Sequence, residues 1–486
     1  MADAVFTRPL LSDSRPKQAC VSTACGIRLD ISRQRLTNDE FGQLKELYEQ
    51  RGVQKAFQRM IKGEIVNVSE HRAALHTLLR ANSSRLPIFK EVVAERRRML
   101  DFARRVRNGE WRGCRGDVIT DVINVGIGGS EMGPHAVYHA LRSPDQRIRV
   151  HFLSSVDGIL MDRVLAECKA KSTLVVVSSK SFKTRETQVN AAAVDQWLLD
   201  NGIVGRDRYA HMVLATSNPN AANLMLLPQE NVFTFWDWVG GRFSVWGAVG
   251  LPVAIALGED VFNEFLQGAA EMDRHTATAP FESNLPAQLA MLSFYNTRAL
   301  SVPSFCFLSY DERLRIMAPW LQQLEMESLG KHHDTNGDLI KELTGQLVWG
   351  YSANEGQHSF FQWLREGTGN TAIDIIWSEM PGHRYAELYR VLQANARAQT
   401  EALIARSSRL PFFNAVNVLA MDAVTPRRLG SLMAMYEHKT TMLGTLFNIN
   451  PFDQPGVELG KRLSSRVERG ESVETSLVEE VKASID

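Results

Sequence analysis

The sequence predicts an α/β protein of two lobes, each with a parallel-rich central sheet flanked by helices, and with helical extensions at both ends. Three observations carry this expectation. From residue 120 the β-rich runs ITDVINVG, RVHFLSS, TLVVVSS, HMVLATS and NVFTFW alternate with helix-length segments, as successive βαβ units do. After a long helical stretch a second series begins, with SVPSFCFLSY (301–310), GQLVWG (345–350) and TAIDIIWSE (371–379) as its strands. The length, 486 residues, leaves room for two large domains.

Taken in order, residues 1–25 are polar and irregular and read as an arm. Residues 38–110 carry helical patterns, FGQLKELYEQ and IFKEVVAERRRMLDFARRV, separated by polar breaks. The two strand series place the boundary between lobes near 260–290. In the tail AMYEHKTTMLGTLFNI is helical, and NPFDQPGVELGKRL (450–463) is a turn leading into another helix. The expected division is 1–110, an N-terminal arm and helical segment; 111–275 and 276–440, the two lobes; and 441–486, a C-terminal helical segment.

Hydrophobic residues make up 44% of the chain and charged residues 23%, an ordinary globular balance. Lys plus Arg and Asp plus Glu each total 55, so no net charge draws the protein to nucleic acid or to a membrane. Cys20, Cys25, Cys114, Cys168 and Cys306 are odd in number and form no CxxC pair. That spacing marks neither a disulfide framework nor a zinc site, and it suits free thiols in a reducing compartment. The N-terminus has no apolar core of a signal peptide. The most apolar run, VWGAVGLPVAIAL (245–257), is too short to cross a bilayer. A soluble cytoplasmic protein is expected.

Six segments carry candidate chemistry. INVGIGGSEMGPHAVYHAL (123–141) reads as a buried strand, a glycine turn and a helix. Glu131 occupies the third glycine slot of the dinucleotide fingerprint, Asp157 comes late for its acid, and no P-loop motif occurs. A backbone nest remains, with Gly129 and the Ser130 hydroxyl at a helix N-terminus that favours an anion. A tight turn without a ligand is the plainer alternative. SSKSFKTRET (178–187) follows the strand TLVVV and offers Ser179, Lys180, Ser181 and Thr184 where a helix begins. These residues suit a phosphate, or ordinary N-capping. Two such turns in one lobe favour the phosphate, because ligands of open α/β sheets bind at the carboxyl ends of the strands.

FWDWVGGRFSVWGAVG (235–250) sets Arg242 after two glycines among Trp236, Trp238 and Trp246, aromatic walls that would dry an arginine's surroundings. LEMESLGKHHDTNGD (324–338) crowds Glu325, Glu327, Lys331, His332 and His333. The adjacent histidines lack the spacing of metal ligands, and so do His135 and His139 without an HExxH glutamate. NEGQHSFFQWLREGT (354–368) puts His358 at a helix start, and NPFDQPGVELGKRL holds Gln454 and Lys461 around a turn. Capping, packing or a solvated face accounts for each of these alone.

In series, the motifs resemble those of the glucose-6-phosphate isomerase (phosphoglucose isomerase) family over about residues 120–465. Its two signature regions are matched by DWVGGRFSVWGAVG and GTLFNINPFDQPGVELGK, and the GIGGS, SKSFKTRET, MESLGK and GQHSFFQ segments fall in the family's order. The resemblance implies two sugar-isomerase-type lobes and reversible isomerisation of glucose 6-phosphate and fructose 6-phosphate through a cis-enediol. It further implies a phosphate cradle of Ser130, Ser179, Ser181 and Thr184 beside Lys180, with Glu186 in the second loop and Gly129 and Gly241 in the turns. Glu327 would be the base, His358 and Lys461 the ring-opening residues, Arg242 the partner of the enediolate and Gln454 a substrate ligand.

The resemblance also implies no cofactor or metal, a C-terminal segment that contributes to the active site, and a homodimer in which His358 reaches the neighbouring site. Departures are Ser181 at a usual threonine, Leu329 at the asparagine of MESNGK, added charges at Lys183 and Arg185, and an unusual lead-in, YSANEGQH. Two alternatives remain open: a related isomerase acting on mannose 6-phosphate, and a non-catalytic phosphosugar-binding protein. An NAD-dependent oxidoreductase is disfavoured by Glu131.

Overall fold

The computed structural model describes residues 20–218, 220–405 and 413–474. The arm expected at 1–25 lies mostly outside the described residues, as does the end of the C-terminal segment. Strands β1 (Val21–Ala24) and β2 (Ile27–Arg33) form a hairpin whose two-residue turn, Cys25–Gly26, has positive φ at both positions. Such turns match the right-handed twist of paired strands. A short ribbon, β3 (Ile65–Asn67) with β4 (Arg72–Ala73), follows two helices. The first of these, Asn38–Gln50, opens on a Thr37–Glu40 capping box and buries Phe41, Leu44 and Tyr48.

Strands β5 (Asp121–Val125), β6 (Arg149–Leu153), β7 (Thr173–Ser178), β8 (Met212–Thr216) and β9 (Val232–Thr234) form a wholly parallel sheet in the order β6-β5-β7-β8-β9. Every residue of β5, β7 and β8 is buried, which is why they read as near-continuous apolar runs. The chain leaves β5 for the edge strand β6 and returns to β7 on the other side of β5. That reversal opens a crevice at the carboxyl ends of β5 and β7, where GIGGS and SKSFKT lie.

The second sheet holds β10 (Ser304–Ser309), β11 (Leu347–Ser352), β12 (Thr371–Ser378) and β13 (Asn414–Met421), parallel in the order β13-β12-β10-β11. The N-terminal hairpin completes it, with β2 antiparallel to β13. The N-terminal segment, expected as an arm and helices, thus also holds a hairpin that joins the second sheet. The boundaries expected at 275 and 440 fall inside the helices Glu259–Thr278 and Pro426–Phe447.

Those two helices cross in the middle of the molecule. A Cβ on Gly268 would lie 1.7 Å from the Arg427 carbonyl oxygen, and one on Gly430 2.0 Å from that of Phe265, so both positions require glycine for the close approach. The inner faces of both sheets and the central helices share one core, with Val122, Val176, Phe305 and Leu419 among its members. The outer faces pack separately under their own helices, Ile123 and Val175 in one cluster, Leu308 and Ile375 in the other. No helix among the described residues is long and apolar enough to cross a membrane.

Candidate functional site

The GIGGS turn is held by backbone fitted against backbone. Gly128 has φ +60°, and a Cβ on Gly129 would lie 2.1 Å from the carbonyl carbon of Gly241 and 2.7 Å from the Arg242 nitrogen. The turns after β5 and β9 therefore interlock. Gly129 serves this contact first, where the sequence suggests a ligand against bare backbone. The Asn124 amide donates to the Ser130 carbonyl at 3.0 Å, and the helix Met132–Leu141 follows.

In the loop after β7, Ser179 Oγ accepts from the Phe182 nitrogen at 3.1 Å and Ser181 Oγ accepts from that of Lys183 at 3.3 Å. Phe182 is buried with φ +54°, a backbone conformation uncommon outside glycine. Thr184 occupies the N-cap of the helix Arg185–Asp200, yet its side chain makes no capping bond. Ordinary capping is thus not what the hydroxyl does here, and the helix begins at the crevice end of the sheet, where first-turn N–H groups suit an anion. Glu186 is half-buried in that first turn. Lys180 Nζ donates to the Asp237 carbonyl at 2.6 Å, and burial, then Arg72, holds its amine below the usual lysine value. Lys180, Gly241, Gln454, His76 and Phe243 share a small cleft of about 50 Å³.

Arg242 is 3% exposed and donates to four acceptors: Ser328 Oγ at 2.6 Å, Gln454 Oε1 at 3.0 Å, and the carbonyls of Pro451 at 2.6 Å and Asp453 at 3.1 Å. Its Nη1 also lies 3.3 Å from Glu327 Oε2. Burial lowers the guanidinium's proton affinity, and Glu327 and then Asp453 oppose it. The tryptophans expected around Arg242 turn elsewhere. Trp236 and Trp238 stack on each other at 5.1 Å, while Trp246 stacks on Phe265 and donates to the buried Glu437. The aromatic beside the arginine is Phe243, which stacks on His76.

Glu327 lies on the crossover between β10 and β11, immediately after a π-helical turn, Gln322–Met326. Such turns recur at functional sites because they re-aim the side chains that follow. The Glu327 side chain keeps 23% of its exposure beside the nearly inaccessible arginine. Glu325, two residues earlier, is buried and bound to Lys439 Nζ at 2.8 Å. The two carboxylates therefore have separate partners, and only Glu327 belongs to this site.

The family model for phosphoglucose isomerase matches residues 30–410 and 414–485. The chain belongs to this family. It is 40% identical to the glucose-6-phosphate isomerase of Burkholderia ambifaria over 95% of this chain and 91% of that one. It is 41% identical to the enzyme of Burkholderia multivorans over 91% and 86%. A crystal structure of the Chlamydia trachomatis glucose-6-phosphate isomerase superimposes with a TM-score of 0.86 at 31% identity, covering 97% of this chain and 94% of that one.

Two of the family's motif residues lie apart from the Arg242–Glu327 pair. His358 is exposed in the turn after Ala353–Gly356, and among the described residues no hydrogen bond or ion pair joins its side chain to that pair. Lys461 is exposed on the helix Glu458–Glu468, where Nζ binds Glu458 at 2.7 Å. The far end of that helix meets the first residue of the helix Arg185–Asp200 through the Arg185–Glu468 ion pair at 2.9 Å.

Three further residues belong to the site that the sequence reading did not single out as members. Lys331 Nζ donates to the carbonyls of Glu327 and Ser328, both at 2.9 Å, and to that of Asp453 at 3.1 Å. It thereby ties the Glu327 turn to the Asp453–Gln454 segment, and burial brings its amine down to about 8. Asp453 is its ion-pair partner at 3.4 Å. Gln323 sets its amide against Gly128, with Oε1 buried and without a partner among the described residues. Its place four residues before Glu327 is the one sequence signal that could have found it.

Proposed function

We propose that the protein interconverts glucose 6-phosphate and fructose 6-phosphate, in the cytoplasm and without a metal, as a homodimer. The observation that carries this reading is the Arg242–Glu327 pair at 3.3 Å, beside two hydroxyl-rich turns at the reversal point of the first sheet. In this reading the substrate phosphate sits on the hydroxyls of Ser130, Ser179, Ser181 and Thr184 and on the adjoining amides, with Lys180 supplying charge. Gly129, Gly241 and Glu186 shape that end of the site. Anchoring the phosphate far from the reacting carbons lets binding energy align C1 and C2.

Glu327 then removes a proton from one carbon and returns it to the next, so one carboxylate serves both half-reactions. Negative charge develops on the oxygens of the enediolate as it forms. Arg242 is already fixed by four protein acceptors and needs no reorganisation to meet that charge. Gln454, held on Arg242, orients the sugar. Lys331 is a positioning residue that keeps Glu327 in register with Gln454.

Ring opening is assigned to His358 and Lys461, since histidine exchanges protons near neutrality. The exposure of His358 in its own chain supports delivery from a second copy. The C-terminal helix that carries Lys461 would close over the loop after β7. A division into two lobes about the two sheets, with a helical C-terminal segment at the site, is part of the same proposal.

The test is fructose 6-phosphate in excess EDTA, coupled to glucose-6-phosphate dehydrogenase. NADPH formation is expected. A folded protein that gives none, with the coupling enzyme verified, refutes the assigned reaction.

A further inference from the structure

At the opposite end of the first sheet from this site, three side chains of different chemistry converge. Asp121 opens β5, His151 stands in the middle of the edge strand β6, and Cys168 follows the helix Gly158–Glu167. The ligating atoms of all three lie within 4.8 Å of one another. Asp121 is 2% exposed and Cys168 9%.

The histidine is held from both sides. Its Nε2 lies 2.9 Å from Asp121 Oδ1, while Nδ1 faces Glu167 Oε2 at 3.4 Å. On binding, Nε2 would turn from the Asp121 carboxylate to the ion, leaving Nδ1 facing Glu167, the kind of outer carboxylate that orients a ligating imidazole. The Asp121 carboxylate is oriented in the same way, since Thr120 Oγ1 donates to its Oδ2 at 2.8 Å. One imidazole, one thiol and one carboxylate make a donor set that zinc accepts, with a fourth position left for water.

We propose that Asp121, His151 and Cys168 form a binding site for zinc or a divalent ion of similar softness, outside the isomerase site. Bond lengths of about 2.0–2.3 Å put ligand atoms on tetrahedral zinc roughly 3.3–3.8 Å apart. His151 Nε2 and Asp121 Oδ1, now 2.9 Å apart, therefore part by roughly 0.4 Å on binding, and the Cys168 sulfur, within 4.8 Å of both, moves in by at most about 1.3 Å, within reach of side-chain rotation. Arg149 now lies 2.7 Å from Asp121 Oδ1, but its side chain is 54% exposed on an edge strand and can swing into water. The cation takes over its charge. Binding forms a metal–sulfur bond and breaks the Cys168 S–H bond, and the proton leaves to solvent.

Such an ion would fasten β5, β6 and the end of the helix Gly158–Glu167 together. These ligands come from three separate elements and share none of the short spacings that mark zinc sites, so the sequence does not display them.

The test uses the full-length chain, stripped with EDTA and titrated with cobalt. The expected result is a single equivalent bound with a thiolate-to-cobalt charge-transfer band and the visible bands of a tetrahedral ion, both removed by added zinc. Cys168→Ser should lose the charge-transfer band, and zinc should raise the melting midpoint of the wild type only. Absence of that band in the wild type overturns the proposal, whatever the variants do. So does its persistence in Cys168→Ser, which would place the thiolate elsewhere.

Discussion

Gly129→Ala is the substitution that most directly probes how the site is assembled. The added methyl would lie 2.1 Å from the Gly241 carbonyl carbon, 2.2 Å from its oxygen and 2.7 Å from the Arg242 nitrogen. All three are backbone atoms, which cannot rotate aside. Carbon atoms in comfortable contact stand about 3.5 Å apart, so the two turns must separate by roughly 1.4 Å. Arg242 is fixed at four acceptors and sits 3.3 Å from Glu327. Moving its backbone must therefore strain those bonds or carry the guanidinium away from the carboxylate.

A displacement of about 1 Å in a catalytic arrangement costs on the order of 10²-fold in rate, and overpacking costs about 1–3 kcal/mol in stability. The expected result is a kcat/KM lowered about 100-fold with a modest fall in melting midpoint, read by the coupled assay and by calorimetry. Gly158→Ala, where the new methyl meets nothing within 4 Å, is the control and should leave both unchanged. Wild-type kcat/KM in Gly129→Ala would refute the interlocked-turn account.

Glu327→Gln should lower kcat by at least 10²–10⁴-fold, roughly the range of a lost general base, while a phosphosugar inhibitor still binds. Glu325→Gln should instead lower stability by about 3–5 kcal/mol, because it leaves Lys439 buried without its carboxylate. The reverse pattern would exchange the roles of the two acids. Replacing Ser179 and Thr184 by alanine should raise the inhibition constant of a phosphosugar analogue about tenfold or more per hydroxyl, the scale of a hydrogen bond to a charged group. An unchanged constant would remove the phosphate from that loop.

Burial holds the Lys331 amine at about 8 against an ordinary 10.5, so the folded protein binds fewer protons there than the unfolded chain across that window. Its contribution to stability therefore rises with pH between about 8 and 10.5, and Lys331→Met should remove that slope from the unfolding free energy. Parallel pH profiles of the two proteins would contradict this.

Legibility in the sequence followed where each segment finds its partners. The strands of the first sheet are buried on both faces, so runs such as TLVVVS announce themselves locally. Strand β13, NAVNVLAM, is absent from the expected strands, and its apolar run is broken by Asn417. Asn417 is satisfied by Asp374 on the neighbouring strand and by Gln34, 383 residues away. The hairpin β1–β2 was missed for the same reason, since it pairs with β13 across nearly the whole chain.

At the site, the motifs supplied Arg242, Glu327 and the two turns. The contact of Gly129 with Gly241 and the clamp made by Lys331 depend on chain crossings that no local pattern records. The tryptophans near Arg242 in sequence misled for the complementary reason. Residues a few positions along an irregular segment need not face the same way, and Trp246 serves the core.

Glu327 is assigned the movement of a proton between C1 and C2. Its most direct test is fructose 6-phosphate turned over in D₂O, with deuterium at C2 of the glucose 6-phosphate measured by NMR, for the wild type and Glu327→Gln. Deuterium at C2 is expected with the wild type, and no detectable turnover with the variant. Product that forms at the normal rate with no deuterium, under conditions where a carboxyl proton exchanges with solvent, would indicate direct hydride transfer and contradict the mechanism.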